Sequence, residues 1–269
     1  MFLPDNIDLG QPEKYILSIR IAADCFMFSI VEPGNEKVYC LRETTFSPNN
    51  DLLNNIKRII FDLNFLTQEF KQTNVIFVSK EYDLIPAPYF EIKNQKTLHD
   101  FTNTNKAGHL LSGLLDGQDV IVSYNVEQDI YEFLSRNLWS PHFFHHTHLM
   151  INWLEDKDRL KGLYPKMYTY FHDGLMDIFC FSGRKLIHSL TYKNEPAQNQ
   201  LYFILKLWEC SGFDQMSDNL FIIGNAEKLL TKHLEEYIKN IEYINIPSEA
   251  YLWSDDAQKA PIDLLTLAL

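Results

Sequence analysis

The chain has 269 residues, is 46% hydrophobic and carries a net charge of −12. That apolar content suffices for sizeable cores and excludes a disordered chain. Lys and Arg are scattered rather than striped, which argues against a nucleic-acid backbone or an anionic membrane surface as partner. No apolar run approaches the ~20 residues that span a bilayer, so no transmembrane segment is expected.

Residues 1–13 read as a loose arm, and the acidic start with Pro4 argues against a signal peptide. Tyr15–Ile21 and Cys25–Val31 read as strands, and the Pro33-Gly34-Asn35 turn leads to a third over Lys37–Phe46. Ser47-Pro48 suits a helix start, and Leu52, Ile56, Ile59, Ile60, Leu63 and Leu66 recur at helical spacing up to Phe70. Asn74–Ser79 is a short apolar strand, Pro86 and Pro88 mark a loop, and Phe90–Gly113 is polar apart from a short helix near Thr97–Thr102. Asp119–Tyr124 reads as a strand, Glu127–Asn137 as a helix, Pro141–Thr147 as extended and His148–Leu163 as a helix.

The second half opens with three strands in Lys166–Tyr192, joined by Asp173-Gly174 and Ser182-Gly183. The middle strand, Met176–Phe181, is apolar at nearly every position, as burial on both faces requires. A helix follows Asn194-Glu195-Pro196, with Leu201, Ile204, Leu205 and Trp208 on its inner face and Gly212 at its end. Then come a strand over Asn219–Ile223, a helix carrying Leu229, Leu230, Leu234 and Tyr237, a strand over Ile241–Ile246, and an apolar C-terminal helix over Pro261–Leu269.

Both halves therefore follow the order βββαβαβα, the first with an insertion at about 80–117. This order resembles the actin-like ATPase (ribonuclease H-like) duplication. The resemblance implies an α/β protein of two lobes, each with a mixed five-stranded sheet and flanking helices. The expected boundaries are 14–147 and 148–269, with the 261–269 helix placed to pack across lobes. NVIFVSKEYDLIPAPYF, DVIVSYNVEQDIYEFL, NLFIIGNAEKLLTKHLEEYI and PIDLLTLAL further resemble an uncharacterised bacterial family. That family is grouped with this fold, near the cytoplasmic adaptors of cell division and pilus assembly.

The resemblance also says where ATP and Mg²⁺ would sit: at the first hairpin of each lobe, with a D-x-G-T/S pattern. Mg²⁺ needs hard oxygen ligands and phosphate needs unobstructed backbone donors. In Ile19-Arg20-Ile21-Ala22-Ala23-Asp24, Arg20 replaces that Asp and Ala22 that Gly. In the second lobe Phe171 falls at the Asp position, with Asp173-Gly174 at the turn itself. The adenosine motif is reduced to Ile222-Ile223-Gly224-Asn225. The candidate cofactor-binding residues are thus Ala23, Asp24, Asp173, Gly174 and Gly224, lining a cleft between lobes, and Asp177 is a further carboxylate to inspect. No catalytic residue is assigned and no cofactor is expected, with ATP/Mg²⁺ as the alternative.

Pro141–His148 (PHFFHHTH) holds four histidines. If extended, it places His142, His146 and His148 on one face, where imidazoles could hold Zn²⁺, with His145 pointing away. Hydrogen-bonded strand histidines are the plainer alternative. Ser29, Ser79 and Ser123 read as strand hydroxyls bonded to backbone, and Glu155–Asp158 as a solvated helix face. The four cysteines lack a C-x-x-C spacing and read as reduced thiols in a cytoplasmic protein. With 14 Tyr and 19 Phe, some aromatics are candidates for a partner surface, Tyr251-Leu252-Trp253 among them. The expected function is a non-catalytic scaffold or adaptor with a protein partner; the alternative is an ATP-binding or ATP-hydrolysing enzyme with a rearranged interlobe site.

Overall fold

A computed structural model describes residues 7–35, 38–103, 107–115, 117–155, 159–160, 162, 164–193, 195–244, 250 and 253–268. Asn194, Tyr251, Leu252 and residues 156–158 lie outside this set. The chain forms two compact units, 1–150 with 246–269, and 151–245.

In the first unit, β1 (Ile16–Ile21), β2 (Cys25–Val31) and β3 (Tyr39–Thr45) form an antiparallel meander. Helix α1 (Leu52–Asp62) then returns the chain to β4 (Gln72–Phe77), which runs parallel to β1. The helix starts later than Ser47-Pro48 suggests. Asp51 is its N-cap, accepting from the Asn54 amide at 2.7 Å, while Ser47 is held by the Asn55 side chain. The insertion follows: β5 (Tyr82–Pro86), α2 (Gln95–Thr102), β6 (His109–Leu115) and β7 (Val120–Val126), a separate three-stranded sheet in the order β5-β7-β6. It runs past residue 117 to include Asp119–Tyr124. Pro86 closes β5 on the sheet's edge, where its missing N–H leaves no ladder bond unmade. Helix α3 (Gln128–Asn137), β8 (Pro141–His145) and α4 (His146–Leu154) complete the run. The main sheet has the order β3-β2-β1-β4-β8.

The second unit repeats this plan. The antiparallel meander is β9 (Lys166–His172), β10 (Leu175–Ser182) and β11 (Lys185–Lys193). Helix α5 (Ala197–Cys210), β12 (Asn219–Gly224), α6 (Lys228–Tyr237) and β13 (Asn240–Ile244) follow, and the sheet order is β11-β10-β9-β12-β13. This is the actin-like duplication, with a mixed five-stranded sheet in each lobe. No helix among the described residues is long and apolar enough to cross a membrane.

Strand alternation assigns each sheet face. In the first unit Leu17, Ile19, Phe28 and Val75 point into a core shared with Ile56 and Ile60 of α1 and with Ile130 and Leu134 of α3. The N-terminal stretch joins this core: Ile7 is buried, and the Asp8 amide donates to the Tyr15 hydroxyl, so the arm is anchored from residue 7 on. In the second unit Met167, Met176, Ile178 and Leu220 meet Ile204 of α5 and Leu230 and Leu234 of α6.

The opposite face of the first sheet carries Ser18, Arg20 and Asn74, all buried. The C-terminal segment covers it. Trp253 lies against Tyr39, Ser254 Oγ donates to the Tyr39 carbonyl at 2.9 Å, and Asp256 pairs with Arg42. A short helix, α7 (Ile262–Leu265), then places Asp263 against Arg20. The Arg20 Nε donates to both carboxylate oxygens, at 3.0 and 2.8 Å, and neither side chain is exposed at all. The residues expected to end the second lobe thus belong to the first unit.

Breaking a buried pair leaves an uncompensated charge, which costs roughly 3–5 kcal/mol. Asp263→Asn should lower the urea unfolding midpoint by that much stability. The double change Arg20→Met with Asp263→Leu should cost less than the single one, because no charge is stranded.

Candidate functional site

The β1–β2 hairpin turns through Ala23-Asp24, closed by the Ala22 amide donating to the Cys25 carbonyl at 3.0 Å. The β9–β10 hairpin turns through Asp173-Gly174, with His172 opposite Leu175. Superposing the turns equates Ala22 with His172 and Arg20 with Tyr170. The position expected for Phe171 therefore falls to Tyr170, one residue earlier. The turn sets the register, and a one-residue slip exchanges faces: Phe171 belongs to the core, whereas Tyr170 lies on the other face, stacked on His172 at 4.2 Å.

Neither hairpin presents an open carboxylate cradle. In the first unit the end of β1 carries a buried guanidinium already matched by Asp263. Asp24 is exposed on the turn, and its carbonyl accepts from the Phe46 amide. In the second unit Asp173 and Gly174 both take positive φ, 41° and 66°, as a type I′ turn requires. His172 sits between two carboxylates, with Nδ1 2.8 Å from Asp173 Oδ2 and Nε2 2.8 Å from Asp177 Oδ2. Thr191 donates to the other Asp177 oxygen at 2.6 Å. An imidazole satisfies both acids only when both ring nitrogens carry protons. Asp173 and Asp177 are thus engaged inside their own unit.

Gly224 ends β12 at φ 77°, paired with Phe171. A Cβ there would lie 2.3 Å from the Phe171 carbonyl oxygen. Close strand packing accounts for this glycine without a ligand.

The histidine run does not share one face. The strand stops at His145 and the helix begins at His146, so the alternation that groups His142, His146 and His148 ends between them. His142 is exposed on β8 and His146 is buried. His148 lies against Gly113, where a Cβ would meet its Nδ1 at 2.4 Å. His145, expected to point away, is the informative one. It is buried between the rings of Tyr82 and Tyr124, with centroids 5.1 and 5.2 Å away. Its Nδ1 accepts from the Thr147 amide, so Nε2 carries the proton and donates to Ser79 Oγ at 3.1 Å. The Ser79 hydroxyl in turn donates to the Glu81 carbonyl at 3.4 Å. This polarity is the reverse of a nucleophile and its base. Burial also pushes the Tyr124 phenol far above its ordinary range.

The Ser79 side of this chain opens on a pocket of about 420 Å³ in the first unit, at the carboxyl ends of β1 and β4. Ala22 and Ala23 of the hairpin form one wall, Phe77, Val78 and Ser79 a second, and Val126 and Ile130 a third. Glu81, Asn125 and Glu127 supply further polar groups. Of the residues expected to bind a cofactor, Ala23 alone reaches it. Sequence reading missed Glu81, Asn125 and Glu127, which stand next to strand and helix ends and form no motif.

A family of sequences described as "Protein of unknown function (DUF3822)" matches residues 4–241. The chain belongs to this family. A crystal structure from Bacteroides thetaiotaomicron VPI-5482, described as a protein with actin-like ATPase fold and unknown function, is similar at 24% identity. The match has a TM-score of 0.85 and covers 97% of this chain and 98% of that one. The PilM–PilN type IV pilus biogenesis complex also matches, at 12% identity and a TM-score of 0.61, over 96% of this chain and 97% of that one. No curated protein matches significantly. This DUF3822 chain thus keeps the actin-like fold while the buried charges at its hairpins are matched within their own units.

Gly224→Ala should cost about 2 kcal/mol or more in urea unfolding, combining strain at positive φ with a backbone clash. Gly183→Ala, also at positive φ but with nothing within 4 Å of the added Cβ, should cost less.

Proposed function

We propose that this DUF3822 protein is a non-catalytic scaffold or adaptor of the cytoplasm, acting through contacts with another protein. The observation that carries the reading is the state of the first hairpin. A divalent cation with a triphosphate needs hard anionic oxygens, and the end of β1 holds Arg20 instead, with its charge already spent on Asp263. The engagement of Asp173 and Asp177 by His172 supports it, as does the reversed Ser79–His145 polarity. The PilM–PilN neighbour, described as a complex of two proteins, offers a parallel for the mode of action. Exposed apolar side chains on the insertion give such contacts a surface: Tyr89, Ile92 and Phe101 are 78, 78 and 89% exposed.

The competing reading is an ATP-binding or ATP-hydrolysing enzyme with a rearranged site, favoured by the pocket beside Ala23. Calorimetric titration with Mg-ATP and Mg-ADP separates the two. The adaptor reading expects no binding heat, no rise in melting temperature and no phosphate release. Saturable Mg-ATP binding with turnover would overturn it.

A further inference from the structure

Resting on the adaptor reading, we propose that the pocket at the carboxyl ends of β1 and β4 is a peptide-docking site. Its ligand is a segment of a partner protein that inserts apolar side chains and carries Lys or Arg beside them. The volume, about 420 Å³, lies within the usual range for ligand pockets. The walls are apolar: Ala22, Phe77, Val78 and Val126 offer no strong polar recognition. The charges that line the pocket are Glu81 and Glu127, and no Lys or Arg joins them among the described residues.

This combination selects against phosphate. An oxyanion would face two carboxylates, and the Cβ atoms of Ala22 and Ala23 stand where a glycine turn would expose its amides. The start of α3 would favour an anion by its dipole, but Glu127 occupies that N-cap position and already supplies the negative charge. A basic side chain next to an apolar anchor matches both features. Ser79 and Asn125 also line the pocket, but both are engaged within the unit, Ser79 with His145 and the Glu81 carbonyl and Asn125 with the Gly108 amide, so recognition rests on the apolar walls and the acidic charge.

The test uses the full-length protein and a random-peptide phage library, followed by fluorescence polarisation with labelled synthetic copies of the enriched peptides. The proposal expects enriched peptides with apolar residues flanked by Lys or Arg. Ala23→Trp, which fills the pocket mouth, and Glu127→Lys, which reverses its charge, should each weaken binding by about tenfold or more. Both residues are exposed, so Ala23→Trp should leave the melting temperature unchanged and Glu127→Lys, which sets a cation at the start of α3, should lower it by only a few degrees. Acidic consensus peptides, or no peptide enriched over an unrelated protein, would overturn the pocket assignment. Basic-apolar peptides that bind Ala23→Trp as tightly as the parent would also sink the pocket while leaving the adaptor reading intact. Saturable Mg-ATP binding with turnover, lost in Ala23→Trp, would remove both.

Discussion

One buried ion pair organises the first unit. Arg20 lies near the end of its central strand and Asp263 on the short helix near the C-terminus, 243 positions apart, and both are fully desolvated. Such a pair is tolerable only when its geometry is good and its remaining valences are filled. Here the carboxylate also accepts from the Leu264 amide, and the neighbouring buried polar groups pair among themselves, Asn74 donating to Ser18. The consequence is topological. The second unit is spliced into the first, and the second face of the first sheet is complete only when the last residues have returned to cover it.

The two halves solve the same structural problem with different chemistry. Each has a meander, a crossover helix and a parallel strand, and each turns its first hairpin at the same place. At matched positions one carries an arginine neutralised by a distant aspartate, the other a tyrosine stacked on a histidine that two aspartates hold. In both, the buried charge near the turn is satisfied within the unit. A fold related to nucleotide-binding proteins thereby stands with its hairpins closed, while an apolar pocket with an acidic rim stands open beside one of them. That contrast favours recognition of another protein over chemistry on a phosphate.

Much of this was legible from residue order. Turn residues at Pro33-Gly34 and Asp173-Gly174, apolar runs such as Met176–Phe181, and helical spacing after Leu52 located the meanders and crossovers. Their repetition carried the fold. Less visible was the insertion's sheet, because β5 holds a proline and β6 a glycine, which local propensity reads as loop. The histidine run misled for a related reason: its alternation assumes one continuous strand, and the chain changes from strand to helix between His145 and His146.

The sequence by itself determined the duplicated α/β plan, because periodicity and turn chemistry are local properties of the chain, and its resemblance to the actin-like family implied the replacement of Asp and Gly by Arg20 and Ala22. Only the tertiary structure decided what those replacements meant. The partner of Arg20, the two acids around His172, the tautomer of His145 and the walls of the pocket all come from residues far apart in the chain or on adjoining element ends. Such pairings are set by packing and desolvation across the folded unit, and no local pattern encodes them.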